Sequence, residues 1–311
     1  MILSLFLFLA SSLYAEESEM VFYNLEESAL EQINAFRKAP LKFFEEFLAQ
    51  QEQKSPLSPE EKEELKARYE ILKEMPDLPQ LRLSTPLTLA AQEFLKQAVA
   101  NLSFAHLLPD GSVPETRVKE QGYEPLLVGE SLALLGFENF LSPEEALSIV
   151  LDWLYQGALW GKEREAAPLL FPYEDFGMAM AGVRISFEGK TYNFYLFCYL
   201  FALPKDYQGS FFFGRFYDDR DGNLLWVPEE GLGGAQVVYK NLVGQEIERT
   251  VILPDGTFFL KDQGAGVLQL LCEEACEGDL VAPVFEVYTD KPFFFDLPKP
   301  GWLNLANYGQ N

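Results

Sequence analysis

Two runs near the middle of the chain, MAMAGVRISF and TYNFYLFCYLFAL after Gly177, constrain its fold more than any other feature. Both are dense in aromatic and apolar residues and read as strands. Glu188-Gly189-Lys190 between them reads as the turn of an antiparallel hairpin. The segments before the hairpin read as helices. In residues 25 to 50, Ala29, Ile33 and Phe36 follow helical spacing and Pro40 interrupts the pattern. Residues 51 to 80, rich in Glu, Lys, Gln and Pro, read as an exposed insertion carrying a charged helix. Thr85-Pro86 opens a helix that ends near Asn101. Ser142-Pro-Glu-Glu145 is a capping box with proline at the first helical position. It starts a helix whose buried stripe is expected at Ala146, Ile149, Val150, Trp153 and Leu154.

After LPKDYQG, residues 203 to 209, helical periodicity ends. Short β-rich runs at 211 to 217, 235 to 240, 247 to 253, 257 to 260, 266 to 271 and 283 to 289 alternate with Gly, Pro, Asn and Asp. Such spacing predicts a small β-sandwich. The expected organisation is therefore a segment at 1–15, a mixed domain at 16–203 and an all-β domain at 204–311. The fold class is α+β.

Composition narrows the function. A formal charge of -24 over 311 residues repels phosphate backbones and anionic headgroups, so nucleic acid is not an expected partner. MILSLFLFLASSLYAEES carries an apolar run of about ten residues, too short to span a bilayer, then small residues up to Ala15. It reads as a secretory signal peptide cleaved after Ala15. No other segment is apolar enough to span a membrane, so the protein is expected to be secreted, extracellular or periplasmic. Of the three cysteines, Cys198 reads as a buried small hydrophobe. Cys272 and Cys276 are close enough in sequence to pair in an oxidising compartment.

The only histidine, His106, lies in SFAHLLPDGS beside a Pro-Asp-Gly turn. Five segments around it resemble, in order, the CAP superfamily of cysteine-rich secretory proteins, antigen 5 and pathogenesis-related proteins, in its bacterial form. ALEQINAFRKAP resembles the first-helix signature. LTLAAQEFLKQAVANLSFAHLLPDGSVPETRVKEQGY resembles the second helix and histidine-bearing loop. GESLA, residues 129 to 133, resembles the Gly-Glu-Asn-Ile-Ala motif with Ser131 in place of Asn. SPEEALSIVLDWL and LLFPYEDFGMAMAG resemble the next helix and the segment leading into the sheet. The resemblance covers roughly residues 25 to 202 and implies an α-β-α sandwich with a central cleft.

Family members line that cleft with two histidines and two acidic residues. His106 matches the first histidine and Glu130 the acidic residue of the Gly-Glu motif. The second histidine has no counterpart; GKER, residues 161 to 164, is the nearest match and puts Glu163 there. Gln156 lies near the second acidic position. One imidazole with carboxylates holds a transition metal poorly, so tight zinc binding is not expected at this place. Two roles remain for His106: a structural hydrogen bond to Glu130, or contact with a ligand in an open cleft. Ser131, beside Glu130, is a conceivable nucleophile.

The second domain resembles the B-repeat-like sandwich modules of bacterial surface proteins through GRFYDDRDGNLLWVPEEGLGGAQVVY. That resemblance gives a loop with Asp219, Asp221 and Asn223 at alternate positions and Glu230 further on, a set of hard oxygens suited to calcium. An acidic residue common near Val227 is missing, and the same loop also reads as an Asx-rich hairpin without metal. The expected protein is thus a secreted, non-catalytic binding or interaction protein whose ligand is a peptide, lipid or glycan. The alternatives are a protease-like hydrolase using His106 and Glu130, and a surface module that mainly positions the first domain.

Overall fold

The computed structural model describes residues 20–54, 56–138, 140–187, 190–209, 211–219, 225–261, 266–271, 284–287 and 294–298. The predicted signal segment, the Glu188-Gly189 turn, Asp221, Asn223, Cys272 and Cys276 lie outside these residues. The chain divides into two compact units, with the boundary between Lys205 and Asp206.

Unit 1 carries helices α1 (Glu26–Lys38), α2 (Pro40–Lys54), α3 (Pro59–Glu74), α4 (Thr85–Ala100), α5 (Pro114–Glu120) and α6 (Pro143–Trp160). Its strands are β1 (Met20–Tyr23), β2 (Arg82–Leu83), β3 (Pro125–Phe137), β4 (Asp175–Phe187) and β5 (Lys190–Pro204). The helix starts follow local chemistry. Pro40 separates α1 from α2, because a proline has no N–H to continue the ladder. Ser58 and Glu61 form a reciprocal cap at α3, and Ser142 and Glu145 do the same at α6.

The sheet runs in the order β1-β4-β5-β3, with β2 parallel to β4 and the other pairs antiparallel. The β4–β5 pairing begins at Phe187↔Lys190. On one face Ala179, Ala181, Leu196, Cys198 and Leu200 pack against Leu87, Ala91, Phe94 and Leu95 of α4. Gly177 permits this closeness, since a Cβ there would sit 2.3 Å from the Thr88 nitrogen. The alternating residues Met178, Phe197, Tyr199 and Phe201 bury on the other face. There Tyr155 of α6 stacks on Phe36 of α1 with ring centroids 4.6 Å apart, and Tyr195 donates to the Leu141 carbonyl ahead of α6.

The buried stripe of α6 differs from the expected one. Ala146, Val150 and Leu154 are buried, but Ile149 and Trp153 are 43% and 41% exposed, and Leu147, Leu151 and Ala158 take their places. At 100° per residue, the true stripe is centred on the other flank of Val150.

Unit 2 consists of β6 (Phe211–Tyr217), β7 (Gln236–Asn241), β8 (Glu246–Val251), β9 (Thr257–Lys261), β10 (Gly266–Leu271), β11 (Val284–Val287) and β12 (Phe294–Pro298). These form one sheet ordered β11-β10-β7-β8 and another ordered β12-β6-β9. Phe212, Phe216, Phe258 and Leu260 of the second sheet share a core with Val237, Tyr239, Leu268 and Leu270 of the first.

Candidate functional site

After α4 the chain turns through Leu102, whose φ is 51°, and Ser103 N–H closes back on the Ala98 carbonyl. The loop then carries His106 over the edge strand β3. Its far end is stapled by Leu108 N–H to the Ser112 carbonyl at 3.1 Å. Asp110 Oδ1 accepts from Ser112 N–H at 2.9 Å within that turn.

His106 is 1% exposed and both of its ring nitrogens face carboxylates. Nδ1 lies 2.8 Å from Glu130 Oε2 on β3. Nε2 lies 2.8 Å from Glu165 Oε1 on the 3-10 turn Arg164–Leu170. Glu165 Oε2 also accepts from the backbone N–H of Leu132 at 2.5 Å. Arg117 of α5 completes the group. Its Nη2 donates to both oxygens of Glu130 at 2.7 and 2.9 Å, and its Nη1 to the carbonyls of His106 and Ser112 at 3.0 Å each. The guanidinium lies 4.7 Å from the Phe94 ring centroid, so an apolar wall backs the charges.

Burial by itself would strip the proton from His106, but Glu165 and Glu130 overcome it and raise the imidazole well above its ordinary value. Burial by itself would neutralise Glu130, but Arg117 and His106 overcome it and hold the carboxyl below its ordinary value. The site is therefore a chain of alternating charges: Arg117, Glu130, His106, Glu165. Cys198 Sγ lies 3.5 Å from Glu130 Oε1, and burial with that carboxylate pushes the thiol well up, so it stays protonated.

The structure brings His106 and Glu130 together and leaves Gln156 and Glu163 elsewhere. Gln156 donates to Asp152 Oδ2 at 2.7 Å along α6. Glu163 is exposed just ahead of the 3-10 turn, with its stem against Gly157, where an added Cβ would meet it at 2.7 Å. The carboxylate on the imidazole is Glu165, two residues further on, and the cation on Glu130 is Arg117; sequence reasoning named neither. Ser131 neighbours Glu130 on β3 and so faces the other side of the sheet from it.

Arg37 of α1 sets where the 3-10 turn lies. It is buried and donates to the carbonyls of Leu169, Phe171, Tyr173 and Pro79 at 3.1, 2.7, 3.0 and 2.9 Å. Burial lowers its pKa to about 9, so it stays charged at neutral pH.

In unit 2, Asp219 and Glu230 are 5% and 8% exposed. Asp218 N–H donates to the Glu230 carbonyl at 2.8 Å, drawing the two ends of the acidic loop together. Among the described residues no group of three or more His, Cys, Asp and Glu side chains is arranged to hold a metal ion. No helix among them is long and apolar enough to cross a membrane.

No family model and no curated protein matches the chain. Several solved structures show a distant likeness, two of them as follows. An outer surface protein from Borrelia burgdorferi is 18% identical, with a TM-score of 0.28, over 47% of this chain and 90% of that one. An extracellular protein containing a SCP domain from Bacillus anthracis is 14% identical, with a TM-score of 0.26, over 48% of this chain and 44% of that one. At such TM-scores neither likeness bears on function.

Proposed function

We propose that the chain is a secreted CAP-like binding protein, and that its first unit recognises a ligand without chemical turnover. The supporting observation is that His106 has a carboxylate 2.8 Å from each ring nitrogen. A general base needs a free nitrogen within reach of the proton it removes, and an imidazolium held from both sides offers none. Two nucleophile candidates beside the histidine are also poorly placed: Ser131 faces away across the sheet and the Cys198 thiol is protonated. The hydrolase reading would need both obstacles removed.

The sequence resemblance and the helix–sheet–helix layering of unit 1 support the CAP-like assignment. Unit 2 is read as a B-repeat-like module whose Asp219, Asp221, Asn223 and Glu230 take calcium weakly, in the roughly 0.1–1 mM range of extracellular modules. The buried carboxylates of Asp219 and Glu230 at the loop ends support that reading. Turnover of peptide and ester substrates by the wild type and by His106→Ala tests the binding reading. Equal, background rates are expected, and a rate lost only in His106→Ala restores the hydrolase. Mass spectrometry of whatever co-purifies with the exported protein identifies the ligand.

A further inference from the structure

We propose that His106 Nε2–H and the backbone N–H of Leu132 form a carboxylate-binding site, which Glu165 fills as an internal stand-in for the carboxylate of a ligand. The inference rests on the binding reading above and deepens it. The two donors engage the two different oxygens of one carboxylate, at 2.8 and 2.5 Å. Both donors are rigidly held: Leu132 lies within β3, and Glu130 and the Arg117 contact to its carbonyl fix His106. The acceptor is the most accessible of the group. The Glu165 side chain is 25% exposed, against 1% for His106 and 0% for Glu130, so the site opens to solvent on the side where Glu165 stands.

Charge accounts for the preference. Glu130 and Arg117 cancel, which leaves the His106 imidazolium to be balanced by Glu165. With Glu165 swung outward, a buried cation remains, and burying an uncompensated charge is costly. A ligand carboxylate restores the balance with the same two hydrogen bonds; an amide or alcohol does not.

The strand supplies the next contacts. β3 ends the sheet order, and no strand among the described residues pairs with its outer edge. The Leu132 N–H points outward to Glu165, and the alternation of an antiparallel pair puts the N–H groups of Leu134 and Gly136 on the same side. An extended peptide whose C-terminal carboxylate replaces Glu165 finds main-chain donors beside it. A fatty acid would use the carboxylate site alone.

The test compares wild type, Glu165→Ala and Glu165→Gln by calorimetric titration with four probes at fixed chloride: acetate, an N-acetylated alanine tripeptide acid, its amide, and octanoate. Removing the internal competitor should tighten the peptide acid by about tenfold or more in Glu165→Ala. The amide should not bind, and Glu165→Gln should show a smaller gain than Glu165→Ala, because its side chain still fills the place but does not balance the imidazolium. A gain for octanoate without the peptide acid upholds the carboxylate site and assigns it to a lipid. If Glu165→Ala does not fold in chloride, its recovery on refolding in acetate is the readout. No gain for any carboxylate, a matching gain for the amide, or recovery in neither salt overturns the inference. A co-purified ligand without a carboxylate also overturns it and leaves the binding reading intact, whereas His106-dependent turnover removes that reading.

Discussion

At His106 and Glu130, protonation and folding are linked with opposite signs. The folded protein binds the His106 proton more tightly than the unfolded chain, whose value is 6.5. That stabilisation is complete below pH 6.5 and is lost as pH rises through the folded value. Glu130 is lowered from 4.5, so its stabilisation is complete above pH 4.5 and is lost as pH falls through its folded value. Both are complete between those two pH values. Urea midpoints of unit 1 should decline on the alkaline side, and His106→Gln should flatten that limb. A wild-type decline unchanged in the variant would show that the imidazole is not the titrating group. Asp255 behaves differently. Thr257 N–H and Oγ1–H reach only its Oδ1, at 3.0 and 2.7 Å, and burial raises its pKa to about 6. Unit 2 is therefore most stable below pH 3.8 with respect to this group, and loses about 3 kcal/mol as pH rises through about 6. Asp255→Asn should abolish that loss, read by hydrogen exchange of the β7 and β9 amides across pH 4 to 7. Equal pH dependence in the two proteins would count against it.

Among the elements, the 3-10 turn is held by neighbours rather than by its own seven residues. Gly157 lets α6 lie against Glu163, and Arg37 gathers three carbonyls at and just beyond the turn's end. Gly157→Ala would press a methyl group onto the Glu163 stem and displace the turn that carries Glu165. It should destabilise unit 1 by about 1–3 kcal/mol and shift the His106 ring resonances. Unmoved resonances would separate the turn's position from α6. Arg37→Met leaves four carbonyls without their donor and should cost at least about 3 kcal/mol, measured by urea denaturation. The outer face of α6 should be tolerant: Ile149→Lys should change stability by less than about 0.5 kcal/mol, whereas Val150→Lys should prevent folding of unit 1. A large loss for Ile149→Lys would show that this face is covered.

For the whole molecule, the core cluster on α4, β4 and β5 in unit 1 and the cluster on β6, β7, β9 and β10 in unit 2 share no residue among those described. A ligand bound by one unit in its folded state raises the transition of that unit. Calcium should therefore raise the melting temperature of unit 2 in calorimetry and leave that of unit 1 in place, and Asp221→Ala should remove the effect. Identical traces with calcium and with chelator would argue against the loop. Export should remove residues 1 to 15, and N-terminal sequencing that begins at Glu16 would agree.

What the sequence determined by itself is local chemistry. Proline at positions 40, 86 and 143, together with the Ser142–Glu145 box, set helix boundaries through groups that lie within one turn of one another. The β4–β5 hairpin and most strands of unit 2 were legible because apolar density and turn residues alternate along the chain. β3 was not legible as a strand, and α5 was too short to show a period. His106 and Glu130 could be paired through resemblance, 24 residues apart. Arg117 and Glu165 could not, because neither has a local signature: an arginine or a glutamate on a short helical turn normally faces water. Only the tertiary structure closes α5 and the 3-10 turn over β3, and only burial makes the charge on His106 require two carboxylates and the charge on Glu130 require an arginine. The pairing was decided there, by the cost of leaving a charge uncompensated away from water.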